Sequence, residues 1–235
     1  MDRILIINAD DFGQSPGINE GIIKAVLAGR VTSASLMARW PGAREAADFA
    51  DKRKNFSLGL HLDFGEWYRD RDWEWKPQYT VIPMDDAALV REEAYRQLEL
   101  FIKLAGHAPT HIDSHQHVHL KGHLKPAAAD MAAELGVPLR GATGKTTYSG
   151  KFYGQSGDGE PYLEGISEEH LVKIIGELPE GWTELGCHPA ARADFKSMYR
   201  DERLAELKAL TGPNLPAVLS SCGVKLSDFS ALKGL

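Results

Sequence analysis

The sequence predicts an α/β fold: a closed or nearly closed (β/α) barrel of TIM-barrel type, with about six or seven parallel strands, in a single domain over residues 1–235. Three observations carry that expectation. Short apolar runs alternate with amphipathic segments along most of the chain, the pattern of parallel strands with helices outside them. Chemically capable residues stand at the C-terminal ends of at least four of these runs: Asp10 and Asp11, His61 and Asp63, the stretch His111 to His119, and His188. Barrel sites are built at that face from several strands, whereas an open doubly wound sheet gathers its groups at a switch point. No Gly-x-Gly-x-x-Gly or Walker A loop follows the first strand.

Residues 3–9 read as a strand buried on both faces, ending in Asp10-Asp11-Phe12-Gly13. Two carboxylates after a buried strand are costly unless partnered. Ser15-Pro16-Gly17 marks a turn, and helical spacing runs from Ile18 to Ala28 with Gly29 as a stop. Residues 33–37 form a second strand, and Pro41 opens a helix reaching about Asp51. Residues 56–63 are a third strand. Residues 64–84 break the pattern as a long loop in which Trp67, Tyr68, Trp73, Trp75 and Tyr79 crowd among charges. That loop either pins itself by an aromatic cluster or forms a wall for a flat ligand face.

Asp86 to Leu104 is a long amphipathic helix, stopped by Gly106. After the histidine strand come a helix over residues 123–135 and a fifth strand over 137–142 carrying Arg140. Residues 143–166 read as a second long loop near the site. Ser167 caps a helix to about Glu177, residues 182–187 form a strand ending in His188-Pro189, and 201–210 is a helix. Residues 215–219 read as a last short strand, and Ser227 starts a terminal helix.

The net charge of −6 and the scattered 27 basic residues argue against a nucleic-acid partner. Two cysteines make no disulfide framework, which points to a reducing compartment. No apolar run reaches spanning length, so the expectation is a soluble, cytoplasmic protein with no membrane partner. A homodimer is the base-rate expectation for its assembly.

Four of the nine histidines lie in His111-Ile112-Asp113-Ser114-His115-Gln116-His117-Val118-His119. If extended, this stretch puts 111, 113, 115, 117 and 119 on one face, with Ile112 and Val118 packed behind. Imidazole and carboxylate together suit Zn²⁺, Mn²⁺, Fe²⁺ or Co²⁺. One carboxylate and two imidazoles would leave a metal open to water and substrate. Asp10 and Asp11 can then divide two roles, provided the strand end is irregular enough to turn both toward the site. Cys187 beside His188 reads as a packed strand cysteine rather than a nucleophile.

Taken together, Asn8-Ala9-Asp10-Asp11-Phe12-Gly13, Gly59-Leu60-His61, Thr110 to His119 and Cys187-His188-Pro189 resemble the YdjC/ChbG family of carbohydrate deacetylases, in order and spacing over nearly the whole chain. The resemblance implies removal of an N-acetyl group from an N-acetylglucosamine-type sugar, often a short chitooligosaccharide, on an irregular β/α barrel. It implies one divalent metal ion, magnesium or zinc, with manganese or cobalt as further candidates. By position it makes Asp11, His61 and His115 the metal ligands, Asp10 the general base, His188 the general acid, and Arg140 the residue that holds Asp10. His111, Asp113, His117 and His119 then support the ligands or face the substrate.

Two other readings compete. A metal phosphoesterase would use a second metal, with His117 and His119 as spare ligands. A non-catalytic metal or sugar binder would keep the ligands and have no need of Asp10 or His188.

Overall fold

The structure, a computed structural model, describes residues 2–232 except 143, 145 and 158. The first strand, β1 (Arg3–Phe12), is buried from Leu5 onward. It leads into α1 (Pro16–Leu27), where Ser15 Oγ accepts from the Ile18 N–H at 3.2 Å and Pro16 occupies the first turn. Then follow β2 (Ser33–Leu36), α2 (Ala43–Asp51) and β3 (Ser57–Leu62). Residues 64–84 are not a plain loop. They hold an antiparallel hairpin, β4 (Gly65–Arg69) and β5 (Trp75–Thr80).

Asp86 caps α3 (Ala87–Ala105), which ends at Gly106 with φ 77°. Next come β6 (Ile112–Ser114), a 3₁₀ segment over His115–Leu120, and α4 (Leu124–Leu135). The second expected loop contains β7 (Thr147–Ser149) and a 3₁₀ turn, Leu163–Ile166. The chain closes with α5 (Glu168–Gly176), β8 (Gly181–Cys187), α6 (Asp201–Leu210), α7 (Leu215–Ser221), β9 (Val224–Leu226) and a 3₁₀ turn over Phe229–Leu232.

The main sheet has the order β6-β3-β2-β1-β8-β7, all parallel. β8 occupies one edge of β1 along Arg3–Ala9, so the other edge is shared: β9 pairs with Arg3–Leu5, and β2 with Asn8 onward. Beyond β6 a single parallel bridge joins Ile112 to Leu139. The expected fifth strand over 137–142 shrinks to that bridge. Among the described residues no pairing joins Leu139 to β7, so the curled sheet is an irregular barrel open on that side.

Residues 215–219 form helix, not strand. Pro216 lacks an N–H that a ladder needs, yet it is free in a helix's first turn. The short final strand is β9, three residues on. Among the described residues no helix is long and apolar enough to cross a membrane.

The main apolar core lies between sheet and helices, and the barrel interior is polar apart from a small apolar cluster of Ile6, Phe229 and Leu232. Asn8, Ser33, Ser35, Ser57, His61, His111, Asp113, Arg140 and Glu184 are all buried. Small inward residues make room for large ones. At Gly59 a Cβ would lie 2.3 Å from the His111 ring, so only glycine lets that imidazole enter.

Candidate active site

The two adjacent carboxylates both reach the site because β1 is bulged. Ala9 pairs with Ala34 and Phe12 with Leu36, so three steps of β1 oppose two of β2. Asp11 takes φ 64°, a conformation that costs a non-glycine residue energy and persists where surroundings enforce it. The irregular strand end required by two same-side aspartates is present.

Asp10 is 3% exposed. Arg140 Nη1 donates to its Oδ2 at 2.6 Å and Nη2 to its Oδ1 at 2.7 Å, while Asn8 Nδ2 donates to Oδ1 at 2.9 Å. Burial alone would raise its pKa, but the guanidinium outweighs burial and holds the carboxyl below the usual range. Arg140 is no surface ion pair. It also contacts Asp113 at 2.5 Å and Glu184 at 2.7 Å, so one guanidinium ties together β1, β6 and β8 across the barrel interior.

Asp11 faces the two imidazoles and a second arginine. Its Oδ1 accepts from His115 Nδ1 at 2.8 Å, and its Oδ2 from Arg203 Nη2 at 2.5 Å. His61 Nε2 lies 3.1 Å from Asp11 Oδ1 but makes no well-aligned hydrogen bond among the described residues. Its other nitrogen, Nδ1, donates to Asp113 Oδ1 at 2.7 Å, since a carboxylate only accepts. Register explains that contact: His61 and Asp113 are partners across β3 and β6. His115 Nε2, 3.9 Å from Glu66 Oε2, is also buried without a hydrogen bond among the described residues.

Asp11, His61 and His115 offer ligand atoms that lie within 4.8 Å of one another. Two unpartnered imidazole nitrogens beside a carboxylate, one imidazole braced from behind by a second carboxylate, fit a divalent cation. Electrostatics agree. Burial would depress His61, yet the surrounding Asp113 and Asp11 push it up to about 10. His115 is raised in the same way by Asp11. A cation would answer the same negative potential.

The rest of the histidine stretch divides. Beyond Ser114 it is not extended: Gln116 and His117 have φ of 49° and 53°, so the alternating face stops at β6. His111 stacks on Phe229 at 3.8 Å and bonds Ser35 and Thr110, and burial pushes it down to about 4. His119 spends both nitrogens, on Ser114 Oγ at 2.6 Å and the Arg140 carbonyl at 2.9 Å. His117 lines the cavity, 3.3 Å from Tyr148 Oη. Asp63 is not in the cluster: it accepts from Arg39, Trp40 and Tyr79 and so anchors the hairpin.

His188 follows β8. Its Nε2 lies 3.7 Å from Asp10 Oδ2 and its Nδ1 3.6 Å from Glu206 Oε1. The rings of Tyr153 and Tyr199 meet it edge-on, each 5.5 Å away. Cys187 is buried with Sγ 3.4 Å from the Asn8 carbonyl, and burial pushes its thiol well up, as suits a packed cysteine.

Sequence reasoning missed Glu184, Glu66, Glu206 and Arg203. Glu184 left a signal, a lone carboxylate inside the buried run Thr183 to Cys187. Arg203 left none. The buried side of α6 is Glu202, Arg203, Glu206, Ala209 and Leu210, while Leu204 is exposed, so its hydrophobic pattern does not reveal the inner face.

These groups open on a cavity of about 740 Å³, walled by Trp67 and Trp75 of the hairpin and by His117, Tyr148, Tyr153 and Lys121.

The profile of the family described as "YdjC-like protein" matches residues 4–221. A chitooligosaccharide deacetylase of Klebsiella pneumoniae subsp. pneumoniae is 33% identical, covering 97% of this chain and 99% of that protein. A carbohydrate deacetylase of Geobacillus stearothermophilus is 32% identical over 97% and 98%. Among solved structures, a protein of Enterococcus faecalis V583, described as a candidate for cellobiose-phosphate cleavage, superposes with a TM-score of 0.77 at 25% identity, over 99% of both chains. A family match across most of the chain, with relatives above 30% identity at nearly full length, makes this chain a member of the YdjC-like protein family.

Proposed function

We propose that this protein is a metal-dependent hydrolase that removes N-acetyl groups from N-acetylglucosamine-type sugars or short chitooligosaccharides. The observation that carries the reading is the meeting of Asp11, His61 and His115 with Asp10 and His188 at one cavity wall. Relatives of nearly equal length named as chitooligosaccharide and carbohydrate deacetylases support the substrate class.

Asp11, His61 and His115 would hold the ion. Two imidazoles favour a transition metal such as Zn²⁺, Mn²⁺ or Co²⁺ over Mg²⁺, which prefers oxygen. Once bound there, a divalent ion supplies Lewis-acid polarisation of the acetyl carbonyl and a more acidic water. Asp10, ionised against Arg140, takes a proton from the attacking water as oxygen adds to the carbonyl carbon. His188 Nε2 delivers a proton to the amide nitrogen as the C–N bond breaks. Acetate and the sugar amine leave. Glu206 Oε1 lies 3.6 Å from His188 Nδ1, on the side of the ring away from Asp10.

The phosphoesterase reading finds less support. His119, a spare ligand in that scheme, has both nitrogens committed. A second group, Asp10, His61 and Asp113, shares His61 with the first and has the Arg140 guanidinium on both its carboxylates.

The test is acetate release from N,N′-diacetylchitobiose by chelated protein, with and without added Zn²⁺, Mn²⁺, Co²⁺ or Mg²⁺. Acetate that depends on one of these ions is the expected result. No acetate with any ion would overturn the reading for this substrate class.

A further inference from the structure

The hairpin formed by β4 and β5 meets the candidate metal cluster at two side chains: Glu66 of β4, whose Oε2 lies 3.9 Å from His115 Nε2, and Gln116. Gln116 follows His115 directly, and its left-handed backbone turns its amide toward the hairpin. Gln116 Oε1 accepts from the Trp67 N–H at 2.9 Å, and Gln116 Nε2 donates to the Trp67 carbonyl at 2.8 Å. One amide thus satisfies both backbone groups of Trp67, as a neighbouring strand would. The register of the hairpin against the His115 loop is set by that pair.

The far end of the hairpin is equally well built. Asp70 Oδ1 accepts from the N–H groups of Asp72 and Glu74, at 2.9 and 3.0 Å, which fixes the turn. The Arg69 guanidinium lies 4.8 Å from the Trp75 ring. Trp75 is nevertheless 51% exposed, and it lines the same cavity as Trp67, His115 and His188. A rigid hairpin that holds a half-exposed indole at a cavity wall spends stability on a surface that folding itself does not need. The flat, weakly polar face of a pyranose ring matches such an indole.

We propose that Trp75 is the stacking platform for a second sugar residue, next to the one that loses its acetyl group, and that Gln116 is the positioning residue that registers this platform on the metal-ligand loop. The identity of the ligand rests on the deacetylase reading. The placement of the platform rests on the hairpin itself. The protein then selects a disaccharide or longer chain over a monosaccharide.

The test is equilibrium binding, followed by calorimetry and tryptophan fluorescence, with zinc-loaded protein carrying Asp10→Asn so that the sugar is not consumed. Both N,N′-diacetylchitobiose and N-acetylglucosamine are titrated. Adding Trp75→Ala should weaken disaccharide binding about three- to tenfold, the scale of one aromatic contact, and change monosaccharide binding less than twofold. Trp75→Phe should recover most of the loss. Adding Gln116→Ala should reproduce the loss of disaccharide affinity with one metal per chain retained. In the active background both variants should raise KM for the disaccharide and leave kcat nearly unchanged.

Disaccharide affinity that Trp75→Ala leaves intact overturns the platform while the deacetylase reading stands. Loss of metal with Gln116→Ala overturns the positioning role. A parent protein that binds neither sugar overturns both the platform and the reading beneath it.

Discussion

Arg140 grips both oxygens of Asp10, Nη1 on Oδ2 at 2.6 Å and Nη2 on Oδ1 at 2.7 Å. The fork holds the carboxylate in one plane and in its ionised state, with His188 Nε2 3.7 Å away on the cavity side. Asp11, the next residue, answers to a different guanidinium, Arg203. Two neighbours in sequence thereby answer to two different guanidiniums, linked through Asp113 and His61, and each assignment has consequences that can be measured.

Asp10→Asn keeps the size of the side chain and removes its ability to take a proton. Turnover should fall about 10²- to 10⁴-fold, the usual contribution of a positioned general base. Metal content should stay close to the parent, while the unfolding midpoint falls, because Asn leaves the buried Arg140 with one carboxylate fewer. Steady-state kinetics beside metal analysis of the same preparation checks this; full activity would show that another group accepts the proton.

His115→Ala should act differently, by removing one of the three groups that could hold the ion. Metal stoichiometry, read by calorimetry or elemental analysis, should drop well below one per chain, with acetate release lost alongside it. A variant that still binds one zinc tightly would exclude His115 as a ligand.

Arg203→Met leaves the buried Asp11 carboxylate without its 2.5 Å partner. Removing one member of a buried ion pair costs about 3–5 kcal/mol. Urea denaturation of the metal-free variant should show a loss on that scale. Added metal should recover part of it, because a bound cation stabilises only the folded state. An unchanged midpoint would mean that Asp11 is charge-balanced without Arg203.

Glu184 supplies a pH dependence. Burial pushes its carboxyl up to about 7, from an ordinary value near 4.5, against the pull of Arg140. The folded protein therefore keeps a proton that the unfolded chain has already lost between those two values. Stability must fall as pH rises through that window, by at most about 1.4 kcal/mol per pH unit. Glu184→Gln is neutral at every pH and removes this slope. Urea midpoints of the metal-free parent and variant, measured from pH 4.5 to 8, should converge at the acid end and separate above it. Parallel curves would show that Glu184 is not the group titrating.

The alternation of apolar runs and amphipathic helices is local chemistry, so the sequence by itself determined the barrel class, where most of the principal strands fall along the chain, and the face that gathers polar side chains. The positions Asp10, Asp11, His61, His115 and His188 were legible because each stands just where a buried run ends. Tertiary structure decided the rest. Two same-side aspartates need the bulge between Ala9 and Phe12, which exists only against β2. The break at Gln116 is sustained by Trp67, 49 residues earlier. Pro216 turned an apolar run into α7, and the three-residue strand β9 is a strand only because β1 has an edge to offer it. Arg203 is polar on a helix whose inner face is itself charged, so periodicity could not single it out. Sequence patterns report which groups prefer water. Which buried charge meets which partner depends on distances across the barrel, set only when the strands close around them.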